Sequence, residues 1–119
     1  MKAEYCRYRL VFHEPAITSR DVMTDKETYF ISISDERRPG IYGIGECALF
    51  RGLSADDTPD YEDMLAQVCA DISRQGLTAF VPSDSSSIRF GAESALADLR
   101  NGGRRLLWPG RWTRGEIAI

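Results

Sequence analysis

The sequence predicts an α+β fold: a three-stranded antiparallel sheet followed by a helical bundle. Three observations carry that prediction. Apolar residues alternate with period two through the first half; from Pro59 onward they recur every three or four residues; and Gly, Pro and Asn stand where these segments break. A run of strands followed by a run of helices, all in 119 residues, is one α+β domain.

The first strand is predicted at about residues 3–13, where Tyr5, Arg7, Arg9 and Val11 alternate with Cys6, Tyr8, Leu10 and Phe12. The second set is expected to face inward. Residues 14–26 are polar and aperiodic, which predicts the most mobile interior loop. The β-branched and aromatic run from Glu27 to Ser34 predicts a second strand over about 27–36, and Arg37-Arg38-Pro39-Gly40 supplies a turn. The third strand, about 40–48, contains Gly43 and Gly45, which weaken a strand unless another backbone or a ligand must come close.

The first helix is predicted at 59–75 from Tyr61, Met64, Leu65, Val68, Cys69 and Ile72, with Thr58 as N-cap, Pro59 at the first position and Gly76 just past the end. A linker, Leu77 to Ser85, contains Pro82. The second helix, about 87–101, follows from Ile88, Ala92, Ala95, Leu96 and Leu99, and Asn101-Gly102-Gly103 closes it. Its small inner residues imply close packing against the first helix. From Trp112 to Ile119 a strand-like apolar run begins without a polar terminus, as an interrupted element would.

With 43% apolar and 28% charged residues and a net charge of −3, the chain has the make-up of an ordinary globular protein, expected to be cytoplasmic. No stretch approaches the roughly 20 uninterrupted apolar residues of a membrane span, and the N-terminus lacks the apolar centre of a signal peptide. The charge gives no reason to expect a nucleic-acid partner; the basic stretch of Arg100, Arg104, Arg105, Arg111 and Arg114 reads as a solvated face, and no aromatic-interleaved RNA-binding signature is present. Cys6, Cys47 and Cys69 are odd in number and far apart, which suits reduced core thiols better than disulfides or a metal knuckle.

Three segments, taken together and in order, resemble the N-terminal capping domain of the mandelate racemase and muconate-lactonizing branch of the enolase superfamily. The first is Pro15-Ala16-Ile17-Thr18-Ser19-Arg20, placed like that family's mobile capping loop. The second is Gly43-Ile44-Gly45-Glu46, continuing through Phe50-Arg51-Gly52-Leu53-Ser54, similar to its strand end and second specificity loop. The third is Ser87 to Leu99, which looks like the helix leading toward the catalytic barrel. Within the branch these motifs look most like the o-succinylbenzoate synthase family.

That resemblance implies that residues 1–112 form a capping domain, that 113–119 begin the barrel, and that the catalytic barrel itself is absent from this chain. The family removes a weakly acidic proton α to a carboxylate, with Mg²⁺ stabilising the enediolate and a lysine as base. Its Lys-x-Lys pattern and metal carboxylates lie on the barrel, and Lys2 and Lys26, the chain's two lysines, do not fit that pattern. The fragment is therefore expected to hold no catalytic residue and no metal, to be inactive alone, and to have its own barrel as partner. The parent would be a metal-dependent lyase of menaquinone biosynthesis, dehydrating a succinyl-hydroxycyclohexadiene carboxylate.

Ser19 and Arg20 in the first loop, and Phe50, Arg51, Gly52, Leu53 and Ser54 in the second, are by resemblance the substrate-binding candidates. Arg20 and Arg51 either attract a carboxylate or are solvated loop residues. Phe50 and Leu53 either form an apolar lid or seal the sheet against the helices. Glu46, without a carboxylate partner, reads as a structural hydrogen-bonding group, and His13 is assigned no role. Two alternatives stand beside this reading: a sister activity on the same scaffold, such as N-succinylamino-acid racemisation, dipeptide epimerisation or cycloisomerisation, and a free-standing α+β binding module. Trp108, Trp112, Ile117 and Ile119 are expected to leave an apolar surface that promotes self-association.

Overall fold

The computed structural model describes residues 1–76 and 84–117. It contains β1 (Lys2–Ile17), β2 (Val22–Ser34), β3 (Tyr42–Cys47), α1 (Tyr61–Gln75) and α2 (Ser86–Arg100). The strands form one antiparallel sheet in the order β1-β2-β3. Both helices lie on one face of it, α1 against β1 and α2 against β3. The fold is α+β as predicted, in two layers.

The core sits between those layers. Tyr29, Ile31 and Ile33 of β2 are essentially inaccessible, and the helices bury Tyr61, Leu65, Val68, Cys69 and Ile72 from α1 and Ile88, Ala92, Ala95 and Leu99 from α2. These are the three- and four-residue spacings read from the sequence, and each large aliphatic side chain so buried stabilises by about 1.5–3 kcal/mol. In β1 the inward face differs from expectation. Ala3, Tyr5 and Arg7 pair with Ile33, Ile31 and Tyr29 and share their face, while Cys6 and Tyr8 point away from the helices and are exposed. Both faces of this strand carry apolar residues, so its own alternation is ambiguous. The choice is made by β2, whose inward series is unbroken. Cys6 is accordingly a surface thiol, whereas burial pushes the thiols of Cys47 and Cys69 up to about 12 and about 11.

The segment 14–26, expected as a loop, is mostly strand. β1 and β2 continue past the helices as a hairpin that turns only at Thr18–Asp21. A bulge hides the pattern: Val11 pairs with Asp25 and Ala16 with Met23, so four residues of β1 face Thr24 alone. Pro15, which has no N–H for a ladder, falls in that bulge.

Gly43 and Gly45 face α2, and a Cβ on either would overlap the helix backbone, at the carbonyl oxygens of Ala95 and Gly91 respectively. A Cβ on Gly91 would in turn overlap the Cys47 sulfur. Another backbone does come close, as the glycines suggested, and the small residues of α2 serve β3 rather than the first helix. Side chains from the helices also satisfy the sheet edges. Ser73 Oγ accepts from the Ala3 N–H at 2.9 Å, and Asp98 Oδ2 accepts from the Ile44 N–H at 3.0 Å. Asp98 accepts as well from the Arg105 backbone N–H at 2.7 Å and its guanidinium at 2.6 Å. These bonds hold Arg105 in the left-handed region, at φ 61°.

The helix ends are also specific. Thr58 is not the N-cap of α1; the helix starts two residues beyond Pro59, after Asp60, and the Thr58 hydroxyl donates to the Asp60 carboxylate at 2.6 Å. Gly76 ends α1 as expected, with φ 64°. At the other helix, Ser85 makes no side-chain cap, and Asp56 takes that place from outside by accepting from the Ser87 N–H at 3.0 Å. Residues 112–116, the described start of the run expected to begin a strand at Trp112, lie instead in turns closed by bonds such as Glu116 N–H to Arg111 O at 2.9 Å. The glycines at 110 and 115, the latter at φ 71°, favour turning over extension. Ile119 and most of the Leu77–Ser85 linker lie outside the described residues.

Two predictions follow from this packing. Gly45→Ala should lower stability by about 3 kcal/mol or more, because helix and strand must part to admit one methyl group; an unchanged urea midpoint would refute the backbone contact. Burial opposes the negative charge of Asp98 and of Asp56, yet hydrogen bonds outweigh it and hold both carboxyls below the ordinary range. Groups with depressed folded-state pKa values stabilise the protein above their unfolded value, about 3.9, and lose that contribution as pH falls through the folded value. Stability should therefore drop below about pH 4, and Asp98→Asn should flatten that drop while costing about 3 kcal/mol at neutral pH. Urea titrations at pH 7 and pH 3 measure both effects.

Candidate functional site

At one end of the sheet the hairpin tip and the β3–α1 loop face each other across a hollow of about 760 Å³. Residues 18–21, 23 and 25–27 form one wall and residues 50–53 the other. Six of the seven sequence-nominated residues therefore meet here: Ser19, Arg20, Phe50, Arg51, Gly52 and Leu53. Ser54 does not line the hollow. Its hydroxyl accepts from the Phe50 N–H at 2.9 Å, closing the loop behind the wall.

The tip is shaped by Thr18. Its N–H and hydroxyl both donate to the Asp21 carbonyl, at 2.9 and 3.0 Å, and its hydroxyl oxygen accepts from the Arg20 and Asp21 N–H groups at 3.3 and 3.1 Å. Such a threonine-centred turn leaves Ser19 and Arg20 at the apex with exposed side chains. The guanidinium of Arg20 has no partner among the described residues.

Across the hollow, Gly52 turns the chain at φ 76° and gives its N–H to Asp57 Oδ2 at 2.7 Å. The other carboxylate oxygen accepts from Arg51 at 2.7 Å, and Arg51 also donates to the Tyr29 hydroxyl at 2.9 Å. Its guanidinium lies 5.6 Å from the Tyr61 ring centre and 6.0 Å from that of Tyr29. The Asp57 carboxylate raises the pKa of Arg51, while the Gly52 N–H and then Arg51 lower that of Asp57. Arg51 is thus pinned by its partners even though its side chain is 45% exposed. Phe50 and Leu53 are 39% and 60% exposed, so they present apolar surface at the rim; sealing the sheet falls to Leu49, at 1%.

The loop is anchored from below. Asp56 accepts from the Ser87 hydroxyl at 2.5 Å and the Ser85 hydroxyl at 3.3 Å, and Ser87 shares a 2.7 Å hydrogen bond with the Tyr61 hydroxyl. Glu46 accepts from the buried Thr28 hydroxyl at 2.8 Å, the structural role expected of it. His13 is exposed on β1, outside the hollow. Among the described residues no cluster of three His, Cys, Asp or Glu side chains is placed to hold a metal ion.

Sequence reasoning nominated none of the β2 residues of the wall, and among the residues it missed Lys26, Tyr29 and Asp57 matter most for the site's chemistry. Lys26 was hidden by the bulge, which made its strand look like loop. Asp57 lies six residues after Arg51, and an acidic residue just beyond an Arg-Gly turn is the signal that could have found it. For Tyr29, the strand pattern announced burial but not a hydroxyl placed for Arg51.

No family model matches the chain. Over an alignment of 153 positions it is 28% identical to the o-succinylbenzoate synthase of Desulfotalea psychrophila (strain LSv54 / DSM 12343), covering 100% of this chain. The chain spans 40% of that relative's length. Its fold matches MenC from Desulfotalea psychrophila LSv54 with a TM-score of 0.63 and 25% identity, over 98% of this chain and 39% of that one. The o-succinylbenzoate synthase from Thermosynechococcus elongatus BP-1, complexed with Mg in its active site, matches with the same TM-score of 0.63 at 20% identity, over 87% of this chain and 31% of that one. In sequence along its whole length, and in the arrangement of its sheet and helices, the chain is similar to part of these o-succinylbenzoate synthases.

Proposed function

We propose that this chain is the substrate-capping and specificity domain of an o-succinylbenzoate synthase, which dehydrates a succinyl-hydroxycyclohexadiene carboxylate in menaquinone biosynthesis. One observation carries the reading. Two loops far apart in sequence, the hairpin tip and residues 50–53, converge on a single hollow and leave polar, cationic and apolar groups facing it. Closing such walls over a bound substrate excludes water and orders the part of the molecule distant from the reacting carbon.

In this reading residues 1–112 are the cap, 113–119 lead toward a catalytic barrel, and the cap works against that barrel as its partner. The described residues of the cap do not suit a divalent cation: Glu46 is held by Thr28, and Asp56, Asp57 and Asp98 by the bonds given above. In this reading Mg²⁺ and the lysine base of the parent lyase belong to the barrel. No helix among the described residues is long and apolar enough to cross a membrane; in this reading the parent enzyme is cytoplasmic.

In the enzyme that includes the barrel, replacing residues 18–21 by an Asn-Gly turn should raise KM for the cyclohexadiene carboxylate at least about tenfold, the loss of roughly 1.4 kcal/mol of binding. An unchanged KM in steady-state assays would overturn the capping role. The 119-residue chain alone should bind no Mg²⁺ in titration calorimetry and show no dehydration. Because Trp108 and Trp112 are 82% and 64% exposed, it should also self-associate with concentration in sedimentation. Stoichiometric Mg²⁺ uptake, turnover, or a strict monomer would each contradict the corresponding part.

A further inference from the structure

The nominated cation of the second loop, Arg51, is already spent. Its guanidinium is divided between Asp57 at 2.7 Å and the Tyr29 hydroxyl at 2.9 Å, with Glu27 at 3.9 Å. The carboxylates around the hollow are spent as well. Asp25 is paired with Arg9 at 2.6 Å; Glu27 accepts from the Tyr29 hydroxyl at 3.2 Å and lies 3.9 Å from Arg7; Asp21 accepts from the Val22 N–H at 2.7 Å. Lys26 differs from all of these and, unlike the equally unpaired Arg20 at the exposed hairpin apex, lies against the opposite wall of the hollow. Among the described residues its ammonium meets only the face of the Phe50 ring, 4.2 Å from the centroid, and donates no hydrogen bond.

Resting on the capping role proposed above, we propose that Lys26 is the specificity-determining residue that receives a carboxylate of the substrate, while Arg51 is a positioning residue that holds the loop. A cation lying on an exposed ring is weakly held, and all three of its N–H donors remain available. A carboxylate offers it charge-assisted hydrogen bonds, which are stronger. The four-carbon stem lets the ammonium swing off the ring without moving β2. The same motion bares the face of Phe50, so one displacement presents both a cation and an apolar surface to a ligand carrying a carboxylate at the end of a short hydrocarbon arm.

Succinate is the probe, with uncharged succinamide as its control, titrated at constant ionic strength into the ¹⁵N-labelled chain while amide shifts are followed. Succinate should shift residues 18–21 and 50–53, and succinamide should not. Lys26→Met should weaken succinate binding about tenfold, the size expected for losing one charge-assisted hydrogen bond. Lys26→Arg should restore most of the affinity, and Lys2→Met, at the other end of β1, should change nothing. Spectra of the variants outside the hollow must superimpose on the parent's. If succinate shifts the hollow but Lys26→Met binds it equally well, the assignment of Lys26 fails and the capping role stands. If succinate leaves the hollow unshifted in the parent chain, the capping role fails with it.

Discussion

The direct contact between the backbones of β3 and α2 is the constraint on which the rest of the structure depends. It exists because Gly43, Gly45 and Gly91 have no side chains to keep strand and helix apart. With α2 seated so close, Asp98 reaches the free edge of β3, and the first turn of the helix arrives where Asp56 can cap it. Asp56 adjoins Asp57, which holds Arg51 and Gly52 and so gives the second wall of the hollow its shape. The geometry of the site is thus inherited, link by link, from a place where side chains are missing.

Buried carboxylates do most of the joining in this small domain. Asp56 and Asp98 are 7% and 2% exposed, and each gathers several donors from segments that would otherwise be linked only by apolar contact. Apolar packing is non-directional, whereas these bonds fix rotation and register. The outer face of the sheet is organised differently, with Tyr8 edge-on to Phe30 at 6.2 Å and Thr28 bound to Glu46, and no helix among the described residues covers it.

Period and punctuation made the element order, the antiparallel sheet and the inner faces of both helices legible in the sequence, because burial on one side of a regular element leaves a repeating mark. The unread parts share a physical cause. At residues 12–15 a bulge broke the period, so the strand beyond it looked like loop, and in β1 apolar residues on both faces left the inward side to be decided by its neighbour. At α1 the Thr58-Pro59 pair satisfied the start rules, yet the loop bonds of Asp57 and Thr58 hold the chain out of the helix until Tyr61. Of the site, the loop residues were visible through resemblance, but their division of labour was not. Whether Arg51 is free or committed depends on Tyr29 and Asp57, which only the folded chain brings to it.

The bulge at Pro15 separates two rulers along the hairpin. Pairing from Ala3 with Ile33 to Val11 with Asp25 is set by the core, and pairing of Ala16 with Met23 and Ile17 with Val22 is set by the turn at Thr18. Between them lies a stretch where one strand already carries more residues than the other. A change in the length of the outer arm is absorbed at that slack joint without sliding any core side chain to the wrong face of the sheet. The arm that reaches toward the hollow can therefore be lengthened, shortened or re-aimed as an independent lever on a fixed mount.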